Sequence, residues 1–150
     1  MQILFTTGRT WLSRTICDVL DEPVSHVAVL CGDTVFHSNL LGARLETERD
    51  FMKSHSVVAR YTVPDAAQRI LDVAARRRRA AYDFGALLFL GVTFAVRRYL
   101  KIPMPRQNLW QTTGMFICTE LVTEVIDGSE DSLCTPYGLL RRLVRSNQTS

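Results

Sequence analysis

The 150-residue chain has no CxxC pair, and its four cysteines, Cys17, Cys31, Cys118 and Cys134, follow no regular spacing. Neither a disulfide framework nor the close ligand pairs of a structural zinc module is indicated. The opening MQILFTTGRTWLSR lacks a basic leader and a long apolar stretch, so it does not read as a secretory signal. The expectation is a cytoplasmic protein with reduced thiols. Long hydrophobic runs are missing as well. The nearest to one, Phe84–Val96, is thirteen residues bounded by Asp83 and Arg97, short of the roughly 20 that span a bilayer. It reads as a buried core helix, and integral membrane insertion is not expected. Lysine is scarce, two against sixteen arginines, and the net charge is only +3. Nothing in that balance demands nucleic acid. Neither repeats nor low-complexity tracts occur.

What the chain does have is a 47% hydrophobic content, enough for one domain over residues 1–150 with a real core. Residues 1–7 read as a strand and 9–20 as an amphipathic helix. Residues 25–31 and 34–40 are β-rich runs around Gly32-Asp33, with a further strand at 56–63. Helical patterns cover 65–82, 84–100, the segment after Cys118, and 135–146, where Thr135-Pro136 forms a helix-start signal. The predicted class is α+β, a small antiparallel sheet packed against helices.

The Gly32-Asp33 pair carries the chemistry. A two-residue loop with glycine first predicts a type II′ hairpin, in which Cys31 faces Thr34 and Ala28 faces His37. His26 and His37 then share a sheet face as diagonal neighbours, within side-chain reach. Cys118 stands at the start of a helix, where the dipole favours a thiolate. A thiol, an imidazole to take its proton and a second imidazole to orient the first are the parts of a nucleophilic site. Cys118 could equally be a small core hydrophobe. A Cys–His–His zinc site is the rival use of the three side chains, but the spacing lacks close ligand pairs. Glu120, on another helix face, reads as a first-turn carboxylate serving the dipole. His55 reads as a surface residue, Cys31 as packing, and Arg76–Arg79 as a solvated helix end.

The succession VSHVAVLCGDTVFHS, GARLETERDFM, YDFGALLF, FICTELV and TPYGLL resembles the circularly permuted papain-like cysteine hydrolases. This is the permuted branch of the NlpC-type peptidase superfamily, with lecithin:retinol acyltransferase among its relatives. The histidine strand precedes the cysteine helix, as in the permuted order. The resemblance implies Cys118 as nucleophile, His26 as general base, His37 as the polar residue that orients it, and Tyr82 as an aromatic contributor to the oxyanion hole. Thr119 departs from the serine common after the cysteine. It implies no cofactor and no metal.

The expected activity is a thiol peptidase or amidase working through a thioester, on a peptide, amide or acyl-lipid substrate. One alternative is a lipid acyltransferase or phospholipase-type enzyme in peripheral contact with a membrane surface, using the apolar helix and the arginines. The other is a binding module that keeps the fold without the chemistry.

Overall fold

The computed structural model describes residues 1–39, 42–64, 67–77, 83–101, 103, 117–129 and 133–148. Five strands, β1 (Gln2–Gly8), β2 (His26–Cys31), β3 (Thr34–Asn39), β4 (Gly42–Thr47) and β5 (His55–Thr62), form one antiparallel sheet in the order β4-β3-β2-β1-β5. Helix α1 (Trp11–Leu20) separates β1 from β2, and α2 (Glu48–Ser54) separates β4 from β5. Then α3 (Ala67–Arg77), α4 (Phe84–Leu100), α5 (Cys118–Asp127) and α6 (Pro136–Gln148) follow. The class is α+β.

The sheet has two apolar faces. On one, Ile3, Phe5, Val27, Val29 and Phe36 pack against Cys118, Leu121, Val122 and Val125 of α5, with Ile70 and Val73 of α3 and Leu139 of α6. The α5 residues recur at the i, i+3, i+4, i+7 spacing of one helix face. On the other face Leu4, Ala28, Leu30 and Val35 pack against Phe51 of α2. Alternate residues of β1 and β2 thus serve opposite layers, as the two-residue period of a strand dictates.

The β2–β3 hairpin has the expected register: Cys31 pairs with Thr34, Leu30 with Val35 and Val29 with Phe36. Gly32 has φ +56° and Asp33 does not share a positive φ, the pattern of a type II′ turn. A Cβ at Gly32 would meet nothing within 4 Å, so Gly32→Ala isolates the backbone cost. It should lower the urea-unfolding free energy by about 1–2 kcal/mol. An unchanged value would mean that the turn readily takes another form.

Two elements, β4 and α2, lie where the sequence reading assigned none. β4 is an edge strand whose side chains are mostly exposed or half-buried, so it lacks clean alternation. α2 is only seven residues, started by Thr47 Oγ1 accepting from the Asp50 amide at 3.1 Å. α4 departs from the expected buried helix. It sinks Phe89 and Leu90 but exposes Leu88, Val92, Tyr99 and Leu100, because it packs through one side against α1. Among the described residues no helix is long and apolar enough to cross a membrane. Arg76 and Arg77 are not free solvated charges: both pair with Glu124 at 3.0 Å. Arg78 and Arg79 lie outside the described residues.

Candidate active site

β2 and β3 bring His26 and His37 together: His26 Nε2 lies 3.2 Å from His37 Nδ1, with the rings edge to face. Both project from the α2 face of the sheet, against Phe51. His55 joins them, its ring stacked on Phe51 at 4.1 Å and centred 5.2 Å from His26. The sequence reading placed His55 on the surface, and this is corrected. The cause is a β-bulge. Phe5 pairs with Ala59, but the next residue, Thr6, pairs with Val57. The extra residue, Val58, turns His55 and Val57 to the α2 face, while Ala59 and Tyr61 stay on the α5 face. Strict alternation along β5 hides this.

On the outer side of His37, Glu46 of β4 places Oε1 2.9 Å from Nε2. The contact is close but off the line of a hydrogen bond, for Nε2 makes none. Burial lowers the pKa of His37 to about 4, with help from the positive charges of His55 and Arg44. A carboxylate so near pulls the other way, but Glu46 keeps a solvated edge and burial prevails. Burial also holds His26 well below its ordinary value, reinforced by His37 and His55. His55 is lowered too, chiefly by burial. All three imidazoles are neutral at pH 7.

Cys118 approaches from the opposite layer. The β2–β3 ladder stops at Val29 and Phe36, and beyond it the Val27 amide points at Cys118 Sγ, as do the amides of Thr119 and Cys118 at the start of α5. The thiol therefore reaches the sheet at the residue next to His26. No hydrogen bond joins Sγ to His26 among the described residues, and His26 Nδ1 has no hydrogen-bond partner among them. The dipole expectation for the thiol is overturned. Burial outweighs the three amides and raises the Cys118 pKa to about 11. At rest the site holds a thiol and neutral imidazoles rather than an ion pair.

Cys118 also lines a cavity of about 530 Å³. Leu12, Ile16 and Val19 of α1 and Leu88, Gly91 and Val92 of α4 supply its apolar sides, and Ser25 and Thr135 are among its polar lining residues. Ser25 is held by the Ser13 hydroxyl and the Gly8 amide. Glu120 stays out of this arrangement: its Oε2 accepts from the Ile117 amide at 2.8 Å, serving the helix start as expected. Tyr82 lies outside the described residues. The chain matches no protein-family model and no curated protein sequence.

Proposed function

We propose that this protein is a cysteine-dependent hydrolase or acyltransferase of the permuted papain-like kind, acting on an acyl group with a substantial apolar chain. The observation that carries the reading is the position of Cys118. It lies at the wall of an apolar cavity and against the amide that follows His26, itself bonded to His37. Cys118 Sγ attacks the acyl carbonyl carbon while its proton passes to His26 Nδ1. His26 then protonates the departing alcohol, thiol or amine as its bond to the acyl carbon breaks. The Cys118 amide, at a helix start, is suited to the oxyanion. Water hydrolyses the thioester, or an acceptor hydroxyl or amine takes the acyl group.

The cavity favours this over peptide cleavage, because a peptide's polar backbone needs partners that leucine, isoleucine and valine walls do not offer. Trp11, Leu88, Tyr99 and Leu100 stand exposed on α1 and α4, with Arg9, Arg14 and Arg97 nearby in sequence. Amphipathic aromatics with arginines suit a lipid surface as the source of such chains.

The test is turnover of p-nitrophenyl esters from acetyl to dodecanoyl beside an unblocked peptide library. kcat/KM should rise with chain length and fall by about 10³-fold or more in Cys118→Ala. Ester turnover indifferent to Cys118→Ala would sink the reading. Thiol-dependent cleavage of peptides but not of long-chain esters would replace it with the peptidase alternative.

A further inference from the structure

We propose that Glu46 is a positioning residue that sets the tautomers of the two histidines, extending the site to Cys118–His26–His37–Glu46. The inference rests on the catalytic reading above for its consequence in turnover, though not for the tautomers themselves. For His26 to accept the Cys118 proton, Nδ1 must be bare, so its single proton must sit on Nε2. That proton points at His37 Nδ1, 3.2 Å away, which must then be the acceptor. The His37 proton is therefore on Nε2, the nitrogen 2.9 Å from Glu46 Oε1. In the opposite arrangement His37 donates through Nδ1, His26 carries its proton on Nδ1, and His26 is useless as a base. It would also leave the bare Nε2 of His37 2.9 Å from a carboxylate oxygen, a repulsive approach of two electron-rich atoms even off the hydrogen-bond line. Glu46, beside His37 Nε2, thus selects the competent arrangement through both rings.

The other groups around the pair do not make this selection. His55 directs Nδ1 at the Phe51 carbonyl and the Ser54 hydroxyl, at 3.1 and 2.9 Å. Arg44 acts on His37 only as a repelling charge. Glu46 was not singled out from the sequence, where it is one of several charges in ARLETERD. Only the β3–β4 register, with His37 opposite Arg44 and Val35 opposite Glu46, puts it on the same face as His37 and diagonal to it.

The experiment is nitrogen-15 NMR of the histidine side chains at pH 7 in wild type, Glu46→Gln and Glu46→Ala, paired with ester kinetics. Wild type should show His26 and His37 both protonated at Nε2. Glu46→Ala should populate the Nδ1–H form of both rings, and kcat should fall about tenfold or more with little change in KM. Glu46→Gln, which keeps the size but donates as well as accepts, should fall between. Unchanged tautomers in Glu46→Ala overturn the proposal, whatever the kinetics. Altered tautomers with an unchanged, Cys118-dependent kcat overturn its catalytic consequence. A wild-type enzyme with no Cys118-dependent turnover fails the functional reading instead, and the tautomer result then stands or falls alone.

Discussion

Iodoacetamide should alkylate Cys118 slowly at pH 7, the rate climbing about tenfold per pH unit toward a plateau near pH 11. The thiolate is the nucleophile, and a pKa of about 11 leaves roughly one molecule in 10⁴ ionised at neutral pH. Following the Cys118 peptide by mass spectrometry separates it from the half-buried Cys17, Cys31 and Cys134. His26→Ala should leave this curve in place yet cut acyl turnover by roughly 10²–10⁴-fold. The two readouts part because a small alkylating agent waits for free thiolate, whereas a seated substrate lets the proton leave as the new bond forms. A rate already at its plateau below pH 7, and lost in His26→Ala, would sink this account. The resting site would then hold a thiolate–imidazolium pair, and the burial ascribed to Cys118 would be relieved in solution.

The same neutrality constrains the proposed mechanism. Three imidazoles sharing one pocket with Phe51 cannot all ionise, and in the proposed mechanism His26 is the one needed as a base. A base with a pKa well below 6.5 is weak, but it is also fully available across the neutral range. In the proposed mechanism His37 and Glu46 would hold the imidazolium that forms during attack. On the same proposal the apolar cavity lined by Cys118 would shield the acyl carbonyl from water.

Much of this was legible in local chemistry. Gly32-Asp33 fixes the hairpin, and the hairpin brings His26 to His37 without any knowledge of the remaining sheet. The helix starting at Cys118 is equally local, written in the spacing of Leu121, Val122 and Val125. What depended on long-range packing was not legible. His55 reaches the site only because Val58 bulges out of β5, and valine carries no bulge signal. Glu46 matters only because an edge strand of exposed side chains happens to pair with β3. The sign of the Cys118 shift turned on burial from a layer the helix itself does not specify. A dipole is visible in a sequence; the loss of solvent around a thiol is not.

Acidification should destabilise the fold well before its surface carboxylates are neutralised. A folded pKa of about 4 for His37, against an ordinary 6.5, means that between these values the unfolded chain binds the proton and the native one refuses it. Unfolding stability therefore rises with pH across that window. It is fully present above about 6.5 and is lost as the pH falls toward 4, a loss of roughly 3 kcal/mol from His37 alone. His26 and His55 are lowered by the same burial and add in the same direction. Glu22 works against them: burial raises its pKa, so the native state takes up that proton more readily as the pH falls. One buried carboxyl, held by Thr135 at 3.0 Å, does not offset three imidazoles. Urea-unfolding free energies measured between about pH 7.5 and pH 4.5 should show a steep decline, shallower in His37→Gln by most of its share. A profile flat over that range would mean that the histidines protonate inside the folded protein with Glu46 as their counter-charge. The neutral resting site, and the base-assisted attack that follows from it, would then be wrong together.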